Sequence, residues 1–214
     1  MTTNPLQTGI ATPTTNLEGI AQRIVGKPGL LPDVLAGLRA DKAKIKYRCL
    51  KVLRLLSEKQ PAILYPDLDY YAGLLGSDNN IFRWGAIIII GNLATVDSEN
   101  KIDALLDRYL QPIPGPVLIT AANTIGGAAR IALAKPYLVE RIVPALLQVE
   151  RAKYQTPECR NVALGHVLKS LDLIFEKISD RQPVLDLAKR QLRNRRNAVK
   201  VRARAFLKKH GSND

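Results

Sequence analysis

The sequence contains few of the residues that metal centres and disulfide frameworks require. It has two cysteines, Cys49 and Cys159, and two histidines, His166 and His210. Two cysteines so far apart do not indicate a disulfide framework, and no Cys or His residues have the spacing of a metal site. We therefore expect free thiols in a reducing compartment, no metal and no metal-dependent catalysis.

Long hydrophobic runs are also missing. The longest uninterrupted apolar run, residues 86–90, is far shorter than the roughly 18 residues that a membrane span requires. The N-terminal stretch MTTNPLQTGIATPTTN has neither a basic region nor an apolar core, so it does not resemble a signal peptide. The sequence predicts a cytoplasmic protein that does not associate with membranes.

Motifs of catalysis and nucleotide binding are absent as well. There is no P-loop pattern, and Gly126-Gly127 lacks the spacing of a dinucleotide-binding loop, which favours a packing role for these glycines. Asp103 and Asp107 are one helical turn apart near a helix start, where carboxylates usually interact favourably with the helix dipole. We predict no catalytic residue, no cofactor and no small-molecule substrate.

Helical periodicity is abundant. From Leu17 onward, stretches of 10–20 residues with helical spacing alternate with short breaks, and the alternating pattern of a half-buried strand is absent. Asn16 and Thr156 are placed as N-caps, the second followed by Pro157 and Glu158. Residues 1–16 have few large apolar side chains, so we expect a flexible tail before an all-α protein.

Five segments fall into one register and contain Arg48, Arg83, Ile119, Arg160 and Arg202 at equivalent positions, 35, 36, 41 and 42 residues apart. The segments are IKYRCLKVLRLL, IFRWGAIIIIGNL, PVLITAANTIGGA, PECRNVALGHVL and VKVRARAFLKK. An amphipathic segment precedes each: LPDVLAGLR, PDLDYYAGLL, KIDALLDRYL, YLVERIVPALLQ and PVLDLAKRQL. The sequence therefore predicts five helix pairs.

This pattern resembles the HEAT and armadillo-like family of α-solenoids over about residues 31–209. The resemblance implies a right-handed α-solenoid of about five HEAT-like helix pairs. It also implies that the equivalent arginines bind acidic groups or backbone carbonyls of an adjacent unit. We predict a flexible tail over 1–16, one HEAT-like repeat domain over 17–210 and a C-terminal tail over 211–214.

The four consecutive isoleucines of residues 87–90 test this interpretation. A run of β-branched residues favours a strand by propensity. The apolar segment extends from Ile81 to Leu93, however, which is too long for a typical strand. Such a helix, apolar on all sides, is expected where neighbouring repeats cover both flanks, with Gly85 and Gly91 allowing close approach.

Positive charge is concentrated near the two ends of the chain. The net charge is +13, and residues 181–214 hold 11 Lys and Arg against Asp186 and Asp214. Either these cations bind an anion or they form the polar cap that a terminal repeat needs for solubility. The residues predicted to form an anion or nucleic-acid surface are Arg193, Arg196, Lys200, Arg204 and Lys208 near the C-terminus and Lys46, Lys51 and Arg54 in a second cluster.

Three functions are compatible with these patterns. The first is a non-catalytic interaction scaffold for a protein partner, in particular an acidic one. The second is a nucleic-acid binder that contacts phosphates through the basic terminal repeats. The third, an enzyme resembling HEAT-like alkylpurine DNA glycosylases, is disfavoured because one turn after Trp84, the only tryptophan, stands Ile88 instead of an aspartate.

Overall fold

The computed structural model of the protein describes residues 4–211. Within this range the regular structure is entirely helical, as predicted. The chain forms two compact units, one up to Ser98 and one from Glu99 onward. The sequence predicted a single domain over 17–210, and the boundary lies in the turn before Lys101, where Asn100 has a left-handed backbone (φ 54°).

The first unit contains the helices α1 (Pro5–Ala11), α2 (Leu17–Gly26), α3 (Leu31–Gly37), α4 (Ala43–Lys59), α5 (Leu68–Leu74) and α6 (Asn80–Leu93). The second contains α7 (Lys101–Leu110), α8 (Leu118–Ala134), α9 (Val139–Leu147), α10 (Pro157–Ile174), α11 (Gln182–Gln191) and α12 (Asn197–His210). The five predicted pairs are α3–α4, α5–α6, α7–α8, α9–α10 and α11–α12, so all ten predicted helices are present.

Side-chain caps fix several of the helix starts. The Asn16 side chain accepts a hydrogen bond from the Gly19 amide at 3.1 Å, and Thr156 accepts one from the Cys159 amide at 3.1 Å. Both residues were predicted as caps. These bonds satisfy amides that have no partner within the helix, which is why the helices begin there.

The four isoleucines lie in α6 and are all buried in the core of the first unit. Gly85 lies against α4 so closely that an added Cβ would come within 2.7 Å of Leu50 Cδ1. Close helix packing therefore requires glycine at this position, as the sequence predicted. Gly126 differs from its predicted packing role, because a Cβ there would meet nothing within 4 Å.

The prediction of a flexible segment through residue 16 is wrong for the residues of α1. Ile10 is fully buried, and Gln7 donates its side-chain amide to the Asp33 carbonyl at 2.8 Å. Arg48 of α4 donates Nε to the Ile10 carbonyl and Nη2 to the Thr15 carbonyl, the latter at 3.0 Å. These tertiary contacts order a segment whose composition alone indicated flexibility. Residues 1–3 and 212–214 of the predicted tails lie outside the described residues.

In the second unit, α10 packs between α8 and α12, and α11 packs on α12. The Ser170 hydroxyl of α10 donates to the Ile125 carbonyl of α8 at 3.3 Å inside this core. The first turns of α10 meet the C-terminal end of α11 and the turn that follows it, and Arg196 at the start of α12 forms an ion pair with Glu158 of α10. A groove lies where these elements meet.

Candidate anion-binding groove

A groove of about 480 Å³ in the second unit is lined by the first turns of α10 and by the end of α11 with the turn that follows it. Four arginines line it: Arg160, Arg190, Arg193 and Arg195. The other polar lining residues are Glu150, Asn161, Gln191 and Asn194. Four guanidinium groups thus share one cavity with a single carboxylate.

Glu150 neutralises one of these arginines. Arg190 donates Nε and Nη2 to the Glu150 carboxylate at 3.0 and 2.8 Å, in a two-pronged ion pair. The hydrogen bonds that Arg190 donates to Glu150, the main influence, together with the charge of Glu150 raise the pKa of Arg190 above its usual value. Arg190 and Glu150 therefore form a closed pair that contributes no net charge to the groove.

A chain of side-chain hydrogen bonds connects the walls of the groove. Gln191, which is buried, donates to Glu150 at 2.8 Å and accepts from Asn194 at 2.8 Å. Asn194 also donates to Asn161 at 3.2 Å, and Asn161 donates to Glu158 at 3.3 Å. We refer to these five residues as the polar chain. It joins the segment before α10, the end of α11 and the first turn of α10.

The far end of the polar chain is neutralised too. Arg196, the N-cap residue of α12, forms an ion pair with Glu158, and its backbone amide donates to Asn194 Oδ1 at 2.8 Å. The hydrogen bonds from Arg196 and from Asn161 lower the pKa of Glu158. Both carboxylates of the polar chain thus have an arginine partner.

Three arginines of the groove have no such partner. Within residues 4–211, the side chains of Arg160, Arg193 and Arg195 form no hydrogen bond or ion pair. Arg160 is half-buried on α10, and Arg193 and Arg195 are exposed in the turn after α11. We call these three residues the arginine trio. Arginine is permanently charged, so the trio places an uncompensated charge of +3 at the groove.

Arg160 differs from the arginines at equivalent positions of the other repeats. Those three each donate to backbone carbonyls. Arg48 donates to Ile10 and Thr15 and Arg202 to Gly165 at 2.6 Å, in adjacent units as the sequence predicted, whereas Arg83 donates at 2.7 Å to Ser77 of its own pair. The same prediction is wrong for Arg160, which faces the groove instead. A position that is structural elsewhere is therefore available to a ligand in this repeat.

The structure separates the residues predicted at the C-terminal end. Arg193 lines the groove, whereas Arg196 is paired with Glu158. Lys200, Arg204 and Lys208 follow on α12, where Lys200 is half-buried and the other two are exposed. Arg196, Lys200, Arg204 and Lys208 recur every four residues, and we refer to them as the stripe. The stripe contains three residues of α12 and its N-cap residue Arg196, which is paired with Glu158.

The second predicted cluster lies in the first unit, on α4. Lys46 is half-buried, and Lys51 and Arg54 are exposed. Arg160 and Arg195 were not predicted from the sequence as part of this surface. Arg160 was assigned to the structural series, and Arg195 lies off the four-residue spacing of the stripe. The cluster RNRR at 193–196, in a turn between two helices, is the signal that could have identified Arg195.

A neighbouring groove of about 640 Å³ between α9 and α11 is lined by charges of both signs. Asp180, Asp186 and Glu150 line it together with Arg151 and Arg190. Because acids and bases are mixed there, the charge does not select a class of ligand.

No group of three or more His, Cys, Asp or Glu residues between positions 4 and 211 is placed to hold a metal ion. None of the helices in that range is both long and apolar enough to cross a membrane.

Comparisons with known proteins give matches in structure but not in sequence. No protein-family model matches the chain, and no curated protein matches it. Two designed armadillo repeat proteins match in structure. One, YIII(Dq)4CqI, matches with a TM-score of 0.58 and 14% identity over 95% of this chain and 97% of its own. The other, solved in complex with the peptide (KR)4, has a TM-score of 0.62 and 12% identity over 95% of this chain and 89% of its own.

A crystal structure of an engineered protein also matches, with a TM-score of 0.56 and 13% identity over 95% of this chain and 86% of its own. Likeness at such low identity establishes the fold and not the function. The chain therefore has the armadillo and HEAT-like helical-repeat fold that its sequence predicted.

Proposed function

We propose that the protein is a non-catalytic interaction scaffold whose second unit binds an acidic segment of a protein partner in the groove. The observation that carries this proposal is the arginine trio, three guanidinium groups in one cavity without a counter-charge among the described residues. Desolvated or clustered like charges are unfavourable unless an anion compensates them.

The distribution of charge along the chain supports the same assignment. The second unit has 21 Lys and Arg against 11 Asp and Glu, a net charge of +10. The first unit has 11 against 8, a net charge of +3. An acidic partner is attracted chiefly to the second unit, where the groove lies.

Helix α12 extends the basic surface away from the groove. It begins directly after Arg196, and its exposed cations Arg204 and Lys208 lie one turn apart. At 1.5 Å per residue, Lys208 is about 18 Å along the helix from Arg196. An extended peptide covers that length with about six residues, so a short acidic segment suffices to reach both the trio and α12.

The fold provides a second line of support. Of the similar structures, one designed armadillo repeat protein is described in complex with a peptide of sequence (KR)4. That peptide is basic, whereas this chain is itself strongly basic. By charge complementarity, we assign the opposite sign to the segment that this protein binds.

Nucleic acid is the alternative anion that the sequence analysis raised. The residues lining the groove include no aromatic side chain on which a base could stack. Binding through phosphates alone is independent of sequence and weakens steeply with salt. We therefore treat nucleic acid as one outcome of the test below.

The experiment is fluorescence anisotropy with a labelled acidic peptide of about 12 alternating Glu and Gly residues, at about 50 and 200 mM salt. It compares the unmodified protein with the triple variant Arg160→Gln, Arg193→Gln, Arg195→Gln. A matched control removes the same number of charges from the first unit by Lys42→Gln, Lys51→Gln and Arg54→Gln.

We expect the groove variant to lose at least tenfold in affinity (on the order of 1.4 kcal/mol) and the control less than about twofold. Equal losses in both variants would show that overall charge, including the predicted cluster on α4, determines binding. Duplex DNA bound more tightly than the peptide at both salt concentrations would replace the acidic-segment assignment with the nucleic-acid one.

A further inference from the structure

The contacts of Glu150 show how many hydrogen-bond donors satisfy one carboxylate in this groove. The Glu150 carboxylate takes both prongs of Arg190 and one amide hydrogen from Gln191. A single negative charge is thus satisfied by one guanidinium group and one amide donor. The arginine trio offers three further guanidinium groups, which is more than the side chain of a second glutamate or aspartate needs.

A phosphate monoester matches this surplus. At neutral pH it carries about −1.5 to −2 charges and has three acceptor oxygens, each of which accepts hydrogen bonds from guanidinium groups. Building on the function proposed above, we infer that the groove holds a phosphorylated side chain of the bound acidic segment. Arg160 would contact it from α10, and Arg193 and Arg195 from the turn after α11.

The polar chain prepares the groove for such a ligand. It ties the end of α11 to the first turn of α10 through Gln191, Asn194 and Asn161. Each of these side-chain amides donates to a neighbour within the polar chain, and Asn194 uses both of its amide hydrogens there, so the arginines are the charged donors left for a ligand. Walls that are fixed before binding reduce the entropy lost on binding.

Arg160 also occupies a distinctive place, half-buried at the helix position that holds a backbone carbonyl in three other repeats. A guanidinium group in this setting is less hydrated than one at the surface, so its hydrogen bonds to an anion are stronger. The trio is gathered around one groove, whereas a nucleic acid would engage a line of charges.

Three labelled peptides test the inference. They share one acidic sequence and differ only at the central residue, which is phosphoserine, glutamate or serine. Affinities are measured by anisotropy for the unmodified protein and for the variants Arg160→Gln, Arg160→Lys and Arg204→Gln. Inorganic phosphate and duplex DNA serve as competitors.

For the unmodified protein, we expect the phosphoserine peptide to bind about tenfold more tightly than the glutamate peptide, and millimolar phosphate to remove that preference. Arg160→Gln should weaken both peptides, but the phosphoserine peptide about fivefold more than the glutamate peptide, so that the preference falls to about twofold. Arg160→Lys should restore the preference only in part, because lysine lacks the two-pronged geometry. Arg204→Gln should weaken all three peptides by a similar factor.

Each result that would contradict the inference can be distinguished from the others. Equal affinity for the phosphoserine and glutamate peptides would overturn the phosphate inference and leave the acidic-segment scaffold intact. An unchanged preference in Arg160→Gln would overturn the assignment of the trio as the binding site. No binding of any peptide, together with tight binding of DNA, would overturn both the inference and the proposed function.

Discussion

Arg190 and Glu150 join two segments that are 40 residues apart in sequence, with Nε 3.0 Å and Nη2 2.8 Å from the carboxylate. The pair neutralises the groove at one side and leaves the trio uncompensated at the other. It is therefore the point at which the charge of the groove can be changed without removing an arginine.

Glu150→Gln should convert the groove from three free guanidinium groups to four. We expect the phosphoserine peptide to bind about threefold more tightly, because each added charge near a bound phosphate favours it modestly. The cost in stability should be below about 1 kcal/mol, since the Arg190 side chain is 55% exposed. Weaker binding, measured by anisotropy alongside urea denaturation, would show that Glu150 organises the groove more than it neutralises it.

Arg48→Gln and Arg160→Gln change equivalent positions with opposite structural roles. Arg48 donates to the carbonyls of Ile10 and Thr15, so its loss should cost about 1–3 kcal/mol and release α1. Arg160 has no such bond within the described chain, so its replacement should change the free energy of unfolding by less than about 0.5 kcal/mol.

Hydrogen exchange of the α1 amides, with urea denaturation of both variants, tests this contrast. Exchange in α1 should accelerate in Arg48→Gln alone. Retained protection of α1 would mean that the burial of Ile10 suffices to hold the helix.

Gly85→Ala and Gly126→Ala should have effects of opposite sign. At Gly85 the new methyl group would come within 2.7–2.9 Å of the Leu50 side chain, so we expect destabilisation of about 1–3 kcal/mol. At Gly126, inside α8, nothing lies within 4 Å, and alanine should stabilise the helix by about 0.5–1 kcal/mol. Thermal or urea unfolding measures both. Similar destabilisation in the two variants would contradict the difference in packing.

Tyr71→Phe should stabilise the first unit or leave it unchanged. The Tyr71 hydroxyl is buried and lacks a hydrogen-bond partner among the described residues, and burial raises the pKa of Tyr71 well above its usual value. Removing an unsatisfied buried hydroxyl relieves a penalty of about 1–3 kcal/mol. A loss of stability on denaturant unfolding would reveal a partner for the hydroxyl, such as an internal water.

The ion pair of Arg196 and Glu158 predicts a specific dependence on pH. Because the hydrogen bond from Arg196 lowers the pKa of Glu158 in the folded chain, the pair's stabilisation is present above the unfolded pKa. It is lost as the pH falls through the lowered value.

Arg196→Gln should return the pKa of Glu158 toward that of an ordinary glutamate, as followed by NMR titration of the side-chain carboxyl. Arg204→Gln is the control, since Arg204 is not among the groups that shift this pKa. A pKa that stays low in Arg196→Gln would assign the shift to Asn161 instead.

The fold was predictable because the same residue pattern recurs along the sequence. Five segments share one pattern, in which the arginine position and the apolar residues have the same relative spacing. Caps such as Asn16 and Thr156 mark helix starts locally. The isoleucine run was interpretable only through this context, because its propensity favours a strand. Helix α1 was missed because its order comes from Arg48 and Gln7, whose partners lie far away in sequence.

The groove was predictable only in part. The excess of basic residues near the C-terminus predicted an anion-binding surface, and Arg193, one of the residues predicted for it, lines the groove. The repeat pattern, however, placed Arg160 among the arginines that are expected to bind acidic groups or backbone carbonyls. Such a pattern cannot show whether a carbonyl lies within hydrogen-bonding distance of a particular side chain. The pairing of Arg196 with Glu158 is a tertiary contact of the same kind.

The polar chain also makes the groove depend on two helix pairs together. Its members come from the segment before α10, from α10 itself and from the end of α11, so neither α10 nor α11 alone contains the cavity. Neighbouring pairs of a repeat array are stabilised by the interface between them and can separate locally. An anion that binds in the groove recognises only the packed form, so by mass action it would stabilise the interface between the pairs α9–α10 and α11–α12.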